Sequence, residues 1–284
     1  MQKQVLAIHD LSCVGRCSLT VALPILSACG VHTSALPTAL LSTHTGEFTG
    51  YTCMDLTGEM RAIADHLATL PLHFDGVYSG FLGSFEQIEL VGEVIRRYHR
   101  EDSLTLVDPV MADHGRLYAT YTRQMADGMG ELCRLADVIV PNLTEACILL
   151  DKPYEPNPDE TQVKHLLEGL AKKYGCGQVI ITGVRQGEEL GAGGFCARDG
   201  KFSFHGAKHL NHVFYGTGDT FASALLGAML QGKSTGEAIR IAVDFTHEAM
   251  VRTLDNGLPL RYGAAFEQAL PMLMQSLGLF GAKE

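Results

Sequence analysis

Four short runs of this chain are almost unbroken in apolar character: 5–8, 104–107, 138–140 and 179–181. A strand with one wet face alternates between apolar and polar residues, whereas a strand covered on both faces does not. These runs therefore predict buried parallel strands. Between them the apolar period changes. Over 84–100, Ile88, Val91, Ile95 and Tyr98 share one helical face, and Glu86, Glu89, Glu93, Arg96, Arg97 and Arg100 fall largely elsewhere. Over 236–252, Ala238, Ile241, Ala242, Phe245 and Ala249 recur at helical spacing. Strands alternating with such helices imply βαβ units and a three-layer αβα sandwich of the α/β class with a mostly parallel central sheet. One segment departs from this rhythm. Residues 195–198 and 201–204 flank Asp199-Gly200, a two-residue turn signal that predicts an antiparallel hairpin at the sheet edge. The proline-rich stretch 151–158 reads as a surface connection inside one domain over 1–284, because neither flank carries a full set of strands.

Composition narrows the function classes. The chain of 284 residues is long enough to bury about three quarters of its unfolded surface. Its net charge is −10 with no basic cluster, which argues against nucleic-acid binding. Eight cysteines are scattered without a C-x-x-C pair, so reduced thiols in a cytosol are expected rather than zinc or disulfides. The opening residues enter a short apolar strand, and no run is long enough to span a bilayer; a signal peptide and a membrane anchor are not expected.

The strongest chemical signal is Gly216-Thr217-Gly218-Asp219, followed by the apolar run 220–229. Two glycines in a tight turn leave backbone N–H groups uncovered. The helix behind them aims its own unpaired N–H groups and partial positive charge at the same spot. Such a corner binds anions, phosphate above all. Asp219 at its mouth would accept the proton of an attacking hydroxyl while Gly216, Thr217 and Gly218 hold the migrating phosphoryl group. The structural alternative is an ordinary helix cap. In either case the helix end is expected to lower the Asp219 pKa.

Other candidates fall at strand ends, where open α/β sheets bind ligands. Asp10 follows the first predicted strand; it suits a polar substrate, or an Asx turn. Residues 42–50 gather hydroxyl and imidazole groups around Thr45, and Phe81 in 79–83 suits an aromatic wall or the core. Asp108-Pro109-Val110-Met111 leads into a loop with a second acid, Asp113, which suggests a metal or phosphate neighbourhood. Asn142 and Glu145 form a capping-box pattern at a helix start. The same pair suits Mg²⁺ held through water, since that ion favours oxygen ligands and keeps several waters. Thr182-Gly183 is expected to end the strand 179–181, where it could face nucleotide phosphates. Lys208 and His209 lie downstream of the hairpin, within possible reach of a nucleotide by position alone.

In this order, the Asp10 segment, 42–50, 79–84, 108–111, 141–145 and 216–219 resemble the ribokinase-like superfamily, and within it the pyridoxal/pyridoxamine (vitamin B6) kinases. The resemblance implies an ATP-dependent kinase acting on a 5′-hydroxymethyl group. Asp219 is its base, and Asp10 and Thr45 contact the pyridine ring and its substituents. Asp108 and Glu145 lie on the Mg·ATP side, Asn142 supports the metal's water shell, and Thr182 approaches the phosphates. It further implies a cytoplasmic homodimer, with K⁺ near the nucleotide in some members. The chain departs from better-known members at Asp10, where many have Ser, and at 114–118, where some carry a thiol and this chain has none. Hydroxymethylpyrimidine kinases of thiamin synthesis share the fold. They typically show a Gly-Gly-Ala-Gly run after the first strand and often Cys at the last motif position; this chain has Cys13-Val14-Gly15-Arg16 and Asp219 instead. A vitamer-binding protein without turnover is the remaining alternative.

Overall fold

The strands of the chain are β1 (Gln4–Val14), β2 (His32–Thr43), β3 (Cys53–Asp55), β4 (Gly76–Ser79), β5 (Leu104–Val107), β6 (Ala112–Asp113), β7 (Arg116–Leu117), β8 (Val138–Ile139), β9 (Gln178–Gln186), β10 (Glu189–Cys196) and β11 (Lys201–Lys208). The helices are α1 (Leu19–Ala28), α2 (Thr57–Leu67), α3 (Phe85–Tyr98), α4 (Arg123–Cys133), α5 (Leu143–Leu149), α6 (Glu160–Tyr174), α7 (Thr217–Leu230), α8 (Thr235–Asp255) and α9 (Leu270–Ser276). The structure is a computed structural model and describes residues 2–279.

Nine strands form one sheet in the order β11-β10-β9-β8-β5-β4-β1-β2-β3. The six from β9 to β2 run parallel; β10 and β3 run opposite to them, and β11, paired antiparallel to β10, returns to the common direction. The unbroken apolar runs sort themselves between two cores. Leu6, Ile8, Val77, Val107, Ile139 and Ile181 pack against residues of α2 to α6. Val5, Tyr78, Leu106, Val138 and Ile180 pack against α1, α7, α8 and α9. Strand residues alternate between faces, so helices on both sides require apolar residues at every position. Each such side chain contributes about 1.5–3 kcal/mol on full burial. The helix edges follow local chemistry. Ser84 caps α3 by accepting from the Gln87 N–H at 3.2 Å. Ser234 and Glu237 form a reciprocal box that starts α8.

Three details differ from the sequence reading. First, β1 does not stop at Ile8 but pairs with β2 as far as Val14 opposite Thr43. Asp10 therefore lies inside a strand. The register shifts there, His9 facing Pro37 and Leu11 facing Leu40, an extra residue in β2 beside a proline that cannot donate to the ladder. Second, Ser42 and Thr43, read as loop, end β2; its mixed polarity and Pro37 hid it from a pattern search. Third, the predicted edge hairpin is present as β10–β11, but its loop has four residues, 197–200. It is closed by the Gly200 N–H donating to the Cys196 carbonyl at 2.9 Å, with Gly200 at φ +66°. A further hairpin joins β9 to β10. No helix among the described residues is long and apolar enough to cross a membrane.

Candidate active site

The corner at 216–219 forms as its glycines suggest. Gly216 is the N-cap of α7 at φ +68°, a conformation that L side chains rarely adopt, and a Cβ there would collide with the Arg16 carbonyl. No side chain caps the first turn, and the space in front of Gly218 is open. The first-turn N–H groups are thus left to an outside acceptor. The β1–α1 connection is held against this corner. Arg16 donates its N–H to the Tyr262 carbonyl at 2.9 Å, and its Nε pairs with Glu267 Oε1 at 2.7 Å.

Asp219 is the third residue of α7 and caps nothing, which removes the ordinary-cap reading. Its Oδ2 accepts the Ser18 backbone N–H at 2.8 Å. The expectation of a lowered pKa is wrong. Burial, with Asp10 adding to it and the Ser18 N–H opposing, pushes Asp219 up to about 7. Loss of hydration and a neighbouring carboxylate outweigh the helix dipole here. The result favours Asp219 as a base, because a carboxylate that titrates near neutrality takes a proton more readily than one at its ordinary value.

Asp10 is buried on β1, 6% exposed. Its Oδ1 accepts the Ser18 hydroxyl at 2.6 Å, and its Oδ2 accepts the Ser12 hydroxyl at 3.4 Å. Burial raises its pKa, against these donors, its own backbone and the nearby His44. Ser18 thus joins the two carboxylates, donating its N–H to one and its O–H to the other. Sequence reasoning missed it; the available signal was a serine just ahead of an apolar helical run, which reads as a cap.

An aromatic group stands beside the corner. His44 stacks on Tyr215 with centroids 5.1 Å apart and meets Phe48 edge-on at 4.9 Å. The Arg261 guanidinium lies 5.4 Å from the Phe48 ring and 5.2 Å from the Tyr262 ring. Gly46 has no room for a side chain against the Tyr215 ring. This packing brings the loop after β2 to the residue preceding Gly216, and Thr45 is exposed on that loop. Phe81 is half-buried and packs toward Tyr121, 6.1 Å between ring centroids.

Asp108, Asn142 and Glu145 lie just beyond the ends of β5 and β8, and Thr182 bridges to Asn142 from within β9, which runs on to Gln186 instead of ending at 181 as the apolar run suggested, because it continues in pairing with β10. Asp108 is buried, and its pKa is raised first by burial and then by the fields of Glu145 and Asp219. Val110 at φ +33° marks a strained backbone just after it. Glu145 is buried and accepts three backbone N–H groups: Met111 at 2.8 Å and Ala112 at 3.4 Å on Oε1, and Asn142 at 2.8 Å on Oε2. Burial still lifts it to about 7. Asn142 accepts the Glu145 N–H at 3.0 Å and donates to the Ala112 carbonyl at 2.7 Å. The capping box is therefore real, and Asn142 has both ends of its side chain engaged. The half-buried Thr182 donates its N–H to the Pro141 carbonyl at 3.0 Å. Beside it, Gly183 at φ +74° is the extra residue where β9 bulges against β10. Lys208 is exposed and His209 donates its N–H to the Glu188 carbonyl; no contact ties either to Asp219 or Asp108.

The sequence profile of the phosphomethylpyrimidine kinase family matches residues 23–261. A provisionally named phosphomethylpyrimidine kinase from Bacteroides thetaiotaomicron VPI-5482, solved with pyridoxal, is 37% identical over 96% of each chain, with a TM-score of 0.91. Pyridoxal kinase from Lactobacillus plantarum is 30% identical over 97% of this chain and 98% of its own, with a TM-score of 0.90. Pyridoxal kinase PdxY from Histophilus somni is 30% identical over 81% of this chain and 82% of its own. The chain spans 46% and 66% of the length of two yeast relatives.

Proposed function

The chain belongs to the phosphomethylpyrimidine kinase family and, within the ribokinase-like fold, to the pyridoxal kinases, and from that premise we propose that it moves the γ-phosphoryl group of ATP onto the 5′-hydroxymethyl group of a vitamin B6 vitamer. One observation carries the reading: an open, uncapped helix N-terminus with a near-neutral carboxylate at its third position. Phosphoryl transfer asks for alignment and charge neutralisation more than covalent chemistry. The first-turn N–H groups of α7 would hold the equatorial phosphoryl oxygens. Asp219 would orient the alcohol and take its proton late. Asp10, as an acceptor beside the His44–Tyr215 stack, suits a ring donor such as a pyridinium N–H or a phenolic hydroxyl. The pyridoxal held by the Bacteroides relative supports that class of ligand.

Mg²⁺ fits the other half of the site. Asp108 is a buried carboxylate in the field of two others, an arrangement that a hard cation relieves. No group of three or more His, Cys, Asp or Glu among the described residues encloses a metal alone, so the ion would draw further oxygens from water and phosphate. Asp108 would face it, Glu145 would act through water, and Asn142 would fix the Glu145 carboxylate. When bound, the ion would neutralise phosphate charge. Thr182 would lie on the phosphate side. A single kinase domain over 1–284, a homodimer, a cytoplasmic site and K⁺ near the nucleotide belong to the same proposal and rest on the family resemblance.

Hydroxymethylpyrimidine phosphorylation is the second reading, favoured by the family whose profile matches. Both acceptors are heteroaromatic alcohols. ADP release with pyridoxal, pyridoxamine, pyridoxine and hydroxymethylpyrimidine, run side by side with Mg·ATP, separates them. We expect a B6 vitamer to have the highest kcat/KM. A hydroxymethylpyrimidine preference would reassign the substrate, and saturable vitamer binding without ADP release would point to a binding protein.

A further inference from the structure

Ser18 occupies a conformation that suits it poorly. Its φ of +52° and ψ of −129° belong to a region that glycine visits freely and serine does not. It is also the N-cap residue of α1, yet its hydroxyl accepts nothing from the first turn of that helix. A capping serine ordinarily stabilises its helix by accepting the N–H two or three residues on. Ser18 therefore carries backbone strain and gives up a cap. What its side chain gains is a single buried contact, a 2.6 Å bond to Asp10 Oδ1, while its N–H holds Asp219 Oδ2 at 2.8 Å.

We propose that Ser18 is a positioning residue that fixes the substrate-reading Asp10 and the proton-accepting Asp219 relative to one another, and so sets where the acceptor ring lies with respect to the phosphoryl corner. The inference rests on the kinase reading above for the roles of the two carboxylates. A ring held by Asp10 must bring its hydroxymethyl oxygen to Asp219. A single residue bridging both carboxylates, with its backbone locked between β1 and α1, removes the rotamer freedom that would blur that distance. A glycine would keep the N–H to Asp219 without strain and would leave the Asp10 carboxylate held only by the longer 3.4 Å bond from Ser12. The hydroxyl bond to Asp10 gives a reason for a serine at this strained position, since a glycine would serve the N–H alone.

The test is a pair of substitutions with opposite backbone consequences. Ser18→Ala keeps the strain and loses the hydroxyl; Ser18→Gly relieves the strain and loses the hydroxyl. Both are expected to lower kcat/KM for the preferred vitamer roughly tenfold, mainly through KM, since a hydrogen bond to a charged group is at stake. Ser18→Gly is nevertheless expected to melt above Ser18→Ala. In an Asp10→Ala background, Ser18→Ala is expected to change KM less than twofold, because the hydroxyl then has nothing to hold. A Ser18→Gly protein with wild-type KM would overturn the proposal, as would additive effects of Ser18→Ala and Asp10→Ala. If the wild-type protein phosphorylates none of the four alcohols, the kinase reading fails separately. Thermal melts of the four proteins of the Ser18–Asp10 cycle then decide the bridge, and additivity there would refute it.

Discussion

Replacing Asp219 by Asn tests the site most directly, because the substitution removes the charge while leaving an oxygen for the Ser18 N–H. The fold holds Asp219 near 7 against an ordinary 3.8. Undamped, three pKa units correspond to about 4 kcal/mol. Asp219 is only half-buried and keeps its Ser18 donor, so about 1–2 kcal/mol is the expected penalty for its ionised form. The sign follows from linkage. Below about pH 4 the carboxyl is protonated in both folded and unfolded chains and nothing is lost. As pH rises from about 4 to about 7, the unfolded chain ionises first and wild-type stability falls. Asp219→Asn escapes this and should gain on the wild type across that window, reaching a Tm advantage of roughly 2–6 °C by pH 8. Turnover should move the opposite way, with kcat falling about 10²–10⁴-fold. The wild-type kcat/KM should rise with pH through an apparent pKa raised above the ordinary carboxylate value toward 7, since that profile reports the free enzyme. Calorimetric melts from pH 4 to 8 and coupled ADP assays measure both. A variant that keeps turnover within tenfold, or a Tm difference flat across the pH range, would refute the reasoning.

Two further outcomes follow from the same geometry. Gly216→Ala forces a Cβ onto the Arg16 carbonyl at a left-handed φ, and backbone cannot swing aside as a flexible side chain would. It should cost about 2–4 kcal/mol in a denaturant melt and lower kcat, and an unchanged midpoint would count against the tight contact at the corner. Asp108→Asn removes a buried carboxylate whose ionisation Glu145 and Asp219 oppose, so its stability should rise relative to wild type as pH increases from about 4. Its half-saturating Mg²⁺ concentration should rise roughly tenfold; superposable Mg²⁺ titrations would exclude Asp108 from the metal side.

Much of this protein is fixed locally and is readable as such. The unbroken apolar runs require cover on both faces of the sheet, and the two helix layers supply it. The Asn142–Glu145 box and the 216–219 corner are written within four residues each, so their geometry follows from nearest neighbours. Other features depend on what lies across the fold. Whether Asp10 sits in a loop or a strand was decided by β2, whose proline and mixed polarity conceal it until it pairs with β1. The Asp219 pKa could not be judged from its helix alone. A dipole acts along one element, whereas desolvation and the field of Asp10 arise from burial beside another strand. Ser18 drew no attention in the sequence, because the two carboxylates that share it lie 8 and 201 positions away. Spacing along a chain specifies which groups are available; only their approach through space fixes their charge and their partners.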